Sequence, residues 1–145
     1  MRTDLRIEDL EGFLDEPVVA VLATRRADAS VLLSPVWQEW RDGGFNIWVG
    51  RDDVKARHVR RDPRVTIAVA ESRYPMRAVE LRCEGRIVED DAEETAIRIA
   101  SRYVGPDRGR AYVTRWTGAA TLRLEPGELR VWDYRDEGET MEAWS

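Results

Sequence analysis

Val18-Val19-Ala20-Val21-Leu22-Ala23-Thr24, Ser30-Val31-Leu32-Leu33-Ser34-Pro35-Val36-Trp37-Gln38-Glu39-Trp40 and Phe45-Asn46-Ile47-Trp48-Val49 follow one another with only short polar breaks between them. The first run is apolar, valine-rich and too short for a buried helix, so it reads as a buried strand. Residues 25–29 form a turn, and Asp42-Gly43-Gly44 is a strong hairpin signal, because those residues accept positive φ. Three strands joined by short turns predict antiparallel pairing.

Working outward, residues 7–14 carry apolar positions at 7, 10, 13 and 14, which predicts a short amphipathic helix over about 6–15, ending near Pro17. A second helix is expected after Gly50; it carries Lys55 and stops at Pro63, which cannot continue it. Strands resume at 64–70 and 77–88. A helix follows, with Asp90 as the expected cap, Glu93 three residues on, and a stripe of Ala92, Ala96, Ile99, Ala100 and Tyr103. Gly105-Pro106 ends it, and residues 109–116 are expected to form a further short helix. Two last strands, 119–125 and 129–134, are expected to turn at Pro126-Gly127, leaving a loose polar tail over 136–145. Consecutive strands interrupted by helices exclude a parallel doubly wound sheet and predict an antiparallel barrel.

Period-two alternation assigns faces. Phe45, Ile47 and Val49 form a core face, with Asn46 and Trp48 opposite. Val65, Ile67 and Val69 point inward, with only Thr66, Ala68 and Ala70 outward. Leu33, Pro35 and Trp37 share one face of the second strand, and Val36, Gln38 and Trp40 the other, so both faces need covering. Trp37, Trp48 and Trp132 on non-core faces mark a flat ligand or a subunit seam.

The chain has 145 residues, a net charge of −5 and a single cysteine. One domain over 1–145 is expected, with no nucleic-acid partner, no membrane span, no internal disulfide and a reducing, cytoplasmic setting. One histidine and one cysteine cannot build a zinc cage or a Cys/His nucleophile pair, so no metal is expected. His58 is expected to face solvent, and Cys83 to be buried packing beside Val79 and Leu81. Lys55 is the only lysine among 23 basic side chains. A cation in a first helical turn opposes the helix dipole, an arrangement that makes sense if it shares an anion such as phosphate with the free N–H groups.

Residues 19–24, Ser34-Pro35-Val36-Trp37, Trp48-Val49-Gly50 and Lys55-Ala56-Arg57-His58-Val59-Arg60-Arg61-Asp62-Pro63-Arg64 resemble the pyridoxamine 5'-phosphate oxidase-like split β-barrel superfamily, most closely its deazaflavin (F420)- and flavin-dependent oxidoreductases. The resemblance spans about residues 15–135. It implies a mainly β, six-stranded antiparallel Greek-key split barrel over about 17–135, of the FMN-binding type, with peripheral helices. It also implies a homodimer with the cofactor, F420 in preference to FMN, at the subunit interface. Lys55 falls on the family's phosphate-binding lysine, with Arg57 as a second candidate. Trp48, Val49 and Gly50 fall beside the phosphate arm, and Ser34, Pro35, Val36 and Trp37 along the ring. Glu80 matches a frequent glutamine, and Trp132 a tryptophan contributed by the other subunit.

Two departures stand out. Asp53 replaces a common Arg or Ser, and is expected to turn away from the phosphate and cap the helix. The C-terminal Arg-x-His signature is missing, so vitamin B6 oxidation is not expected. The implied function is hydride transfer between bound F420 or FMN and a small organic acceptor, with Arg60 available to F420's anionic tail. The alternative is a non-catalytic dimer that stores or senses a flavin or haem-derived pigment. The sequence does not name a proton donor; Tyr112 and Tyr134 are the candidates for that role.

Overall fold

In the computed structural model, the described residues are 2–10, 12–125 and 127–137. The strands are β1 (Ala20–Arg25), β2 (Val31–Val36), β3 (Gln38–Arg41), β4 (Gly44–Gly50), β5 (Arg64–Ala70), β6 (Arg77–Val88), β7 (Ala119–Leu124) and β8 (Glu128–Asp133). The helices are α1 (Val54–Arg61), α2 (Ala92–Val104) and α3 (Pro106–Thr114). All strand pairs are antiparallel, in the order β2-β1-β5-β6-β7-β4-β3, with β8 on β6.

These eight strands make six staves. β2 and β3 are the expected second strand, interrupted only at Trp37, so the two ends of the strand order are joined through one residue. The final two strands also share a stave. Val88 to Gly85 pair with Thr121 to Leu124, and Arg82 to Arg77 pair with Glu128 to Asp133, along one edge of β6. The chain therefore runs on in one direction where a turn at Pro126-Gly127 was expected; Pro126 itself lies outside the described residues. The result is the six-stave Greek-key split barrel.

Local chemistry explains the elements. Asp42 and Gly43 both have positive φ (52° and 74°), the two-residue geometry that matches strand twist, and they join β3 to β4. Inward residues Leu22, Phe45, Ile47, Ile67, Leu81, Leu122 and Leu124 are fully buried, each stabilising the fold by about 1.5–3 kcal/mol relative to exposure. Gly12, at φ 77°, breaks the expected N-terminal helix into two 3₁₀ turns, Ile7–Leu10 and Phe13–Asp15. Asp91, not Asp90, precedes α2, and its side chain makes no cap hydrogen bond. Gly105-Pro106 ends α2 and at once starts α3, because proline suits the first helical position.

His58 corrects the sequence expectation. It is buried, with Nδ1 3.0 Å from Thr24 Oγ1, because the α1 face bearing Ala56, His58 and Val59 docks on the barrel. Burial, with Arg61, Arg26 and Arg57 nearby, holds its imidazole below the usual histidine range. Cys83 is partly buried against the core, and desolvation pushes its thiol up to about 11. Residues 136–137 belong to a 3₁₀ turn, Arg135–Glu137; the rest of the expected tail lies outside the described residues. No helix among the described residues is long and apolar enough to cross a membrane.

Candidate functional site

The strand break at Trp37, the C-terminal end of β4, the start of α1 and the end of α3 converge on one cavity of about 680 Å³. Its size falls within the range of small-molecule sites. Trp37, Trp48, Tyr112 and Trp116 supply aromatic walls, and Val19, Pro35, Val36, Val49 and Gly50 line the strand side. Trp37 lies flat on Tyr103 of α2, with centroids 4.9 Å apart and planes 6° from parallel. The Tyr103 hydroxyl donates to Val18 O (2.9 Å) and accepts from Gln38 N (3.1 Å), which fixes the ring behind Trp37. Tyr112 meets Trp48 edge-on at 5.4 Å and Trp37 at 5.7 Å. Ala96, Ala100 and Val113 pack beneath this group, and the small residues let α2 and α3 approach closely. At Gly109 a Cβ would meet Ser101 Oγ at 2.6 Å.

Charge enters at one end of the cavity. Among the lining residues only Lys55 and Asp53 are charged. Asp53 caps α1, its Oδ1 accepting from Lys55 N at 2.7 Å. Its Oδ2 lies 3.1 Å from Lys55 Nζ, and the two side chains are 21% (lysine) and 27% (aspartate) exposed. Asp53 therefore caps the helix as expected, yet it does not turn away from the lysine. Next to the cavity, Arg51 pairs with Glu89 at 3.5 Å.

Of the residues singled out in the sequence, Pro35, Val36, Trp37, Trp48, Val49, Gly50 and Lys55 come together here. Ser34, Arg57, Glu80 and Trp132 do not line the cavity. Ser34 stands across from Leu22, and Arg57 is exposed on α1. Glu80 pairs with Arg82 at 3.4 Å, and Trp132 lies half-buried under the Arg130 guanidinium, 4.8 Å from its ring. Both residues are on the outer surface of β6 and β8. Arg60 donates to Arg51 O at 2.6 Å. Sequence reasoning missed Trp116 and the segment 117–119; the signal available was Tyr112 and Trp116 four residues apart in the helix expected over 109–116, although α3 itself ends at Thr114 and Trp116 follows it. Val19, which lines the cavity and immediately precedes β1, Val21 on β1, and Val31 and Leu33 on β2 are 50%, 44%, 48% and 65% exposed, an outward apolar row running from the cavity. Among the described residues no cluster of metal-ligating side chains occurs.

A split barrel with an aromatic cavity at the β4–α1 corner defines the class, and the sequence agrees with it. A profile of the pyridoxamine 5'-phosphate oxidase family matches residues 7–133, and the chain belongs to that family. No curated protein matches the chain. Among solved structures, a conserved hypothetical protein from Mycobacterium tuberculosis is similar, with TM-score 0.76, 26% identity and coverage of 92% of this chain and 88% of that one. An F420 reductase has TM-score 0.67 and 22% identity over 82% of this chain and 94% of its own. HutZ, the heme storage protein from Vibrio cholerae, has TM-score 0.66 and 18% identity over 85% and 92%. At these identities the two latter likenesses concern the fold.

Proposed function

We propose that the chain is an oxidoreductase that binds F420, or FMN second, in the cavity between Trp37, Trp48 and Lys55. The observation that carries this reading is the placement of the sole lysine at the polar end of an aromatic-walled cavity. The donor set fits such a cofactor: flat walls for a ring, an ammonium for an anionic arm, and strand backbone between them. The one poor fit is the Asp53 carboxylate. When bound, F420 or FMN supplies hydride chemistry, which the protein would serve by orientation and exclusion of water.

Trp37, braced by Tyr103, would hold the ring side of the site, and Lys55 the arm. Tyr112 and Trp116, both substantially exposed at the mouth, would receive a small planar organic acceptor. The outward apolar row on β1 and β2 supports a homodimer in which a second copy covers this face and adds Trp132 to the site.

The test is titration of the purified protein with F420 and with FMN, read by absorbance and fluorescence, then oxidation of reduced F420 with a panel of planar acceptors. Saturable binding with acceptor-dependent turnover is the expected result. Absence of binding by both cofactors would reject the reading.

A second reading, storage without turnover, draws on the absence of histidine and of any acid–base pair beyond Lys55 and Asp53 in the lining. No His, Met or Cys lines the cavity, and Tyr112 is the one lining side chain of a type that ligates haem iron. Tight binding with no turnover across the panel would favour it.

A further inference from the structure

We propose that Asp53 sets the anion selectivity of the cavity, cancelling the preference for a dianionic phosphate monoester that Lys55 alone would confer and so admitting a cofactor arm whose phosphate is a monoanionic diester. This rests on the cofactor reading above and concerns the chemical class of arm the site takes.

The carboxylate is a fixed charge. Oδ1 is held by the Lys55 backbone N–H at 2.7 Å and Oδ2 lies 3.1 Å from Lys55 Nζ, so both oxygens engage the one residue an incoming phosphate needs. Swinging away would uncap α1. Gly50 also closes on it from β4: a Cβ there would lie 3.2 Å from Asp53 Cβ. The formal charges of the cavity lining thus sum to zero, one lysine and one aspartate, and the neighbouring Arg51 is itself paired with Glu89.

An arm entering this corner meets one attractive and one repulsive unit charge. A phosphate monoester carries close to two negative charges at neutral pH, because its second ionisation lies near pH 6. A diester carries one. Each phosphate charge about 4 Å from the carboxylate weakens binding by about fivefold even with the full screening of water. For the monoester the repulsion doubles together with the attraction to Lys55, so Asp53 removes the advantage a dianion would otherwise draw from the lysine.

Three ligands grade the arm: riboflavin has no phosphate, F420 a diester, and FMN a monoester. Dissociation constants are measured by fluorescence for the parent protein, Asp53→Asn, Asp53→Ser and Asp52→Asn. Asparagine and serine preserve the helix cap, and circular dichroism verifies folding. Ratios within each ligand cancel differences of ring and tail. In both Asp53 variants riboflavin affinity should hold, F420 should tighten about fivefold, and FMN about 25-fold. Asp52→Asn, which removes the same charge outside the lining, should leave all three within about twofold. Equal tightening of F420 and FMN, or none, overturns the selectivity while leaving the cofactor reading intact. If neither phosphate-bearing ligand binds the parent or any variant, the cofactor reading falls and this inference with it.

Discussion

Thr24 Oγ1 and His58 Nδ1 lie 3.0 Å apart in the interior, tying the first barrel strand to the helix whose opening turn carries Lys55. The imidazole is held neutral by burial and by three nearby arginines, Arg61, Arg26 and Arg57. The unfolded chain takes up a proton near pH 6.5 and the folded one only at lower pH. Stability is therefore full above that value, falls as pH drops through it, and levels off once the folded pKa is passed. Urea midpoints at pH 7.5 and 5.5 should differ in the parent, and the difference should shrink in His58→Gln. An equal pH dependence in both would remove His58 as its source.

Glu39 is buried and accepts from Arg98 through both oxygens, at 2.8 and 2.6 Å, and from Asn46 at 2.9 Å. Desolvation pulls its carboxyl upward, but the hydrogen bonds from Arg98 and Asn46 and the Arg98 charge outweigh it and hold the carboxyl below the usual range. Arg98→Met should cost about 2–3 kcal/mol by leaving a buried carboxylate short of donors. Arg98→Met with Glu39→Gln should recover part of that loss in chemical denaturation.

Gly109→Ala should separate α2 from α3, since the new methyl would strike Ser101 backbone as well as its hydroxyl. A loss of about 1–3 kcal/mol is expected for such overpacking. Because α3 carries Tyr112, the quenching of tryptophan fluorescence by bound cofactor should change with it. Unaltered stability would show that the helices yield freely.

Lys55→Ala should weaken F420 about fivefold and FMN, whose phosphate carries two charges, about 25-fold, with riboflavin unaffected. A uniform drop for all three ligands would indicate a damaged cavity.

Leu33→Asp places a charge in the outward apolar row. Sedimentation should show the parent as a dimer and the variant as a monomer. A monomeric parent would refute the two-copy arrangement.

Much of the barrel was legible because its signals are local. The Asp42-Gly43 turn and the alternation of Phe45, Ile47 and Val49 each depend on a few adjacent residues. The misreadings share a different cause. His58 looks solvent-facing in a run of arginines, and only docking of α1 buries it. Pro126-Gly127 signals a bend, but whether the chain reverses or runs on depends on the free edge that β6 offers. Asp53 was legible as a cap, whereas its grip on the Lys55 ammonium depends on rotamers that spacing does not encode. Trp116 reaches the site only through the packing of α3 on α2.

The interruption at Trp37 carries a consequence beyond its indole. One side of that position bonds to β1 and the other to β4, so a single backbone unit is both the seam of the cylinder and part of the crevice wall. A guest molecule that displaces the indole must tug on the closure itself. Occupancy and resistance to unfolding are mechanically linked there, and variation in the crevice is easier on the α3 side, which can drift without opening the cylinder.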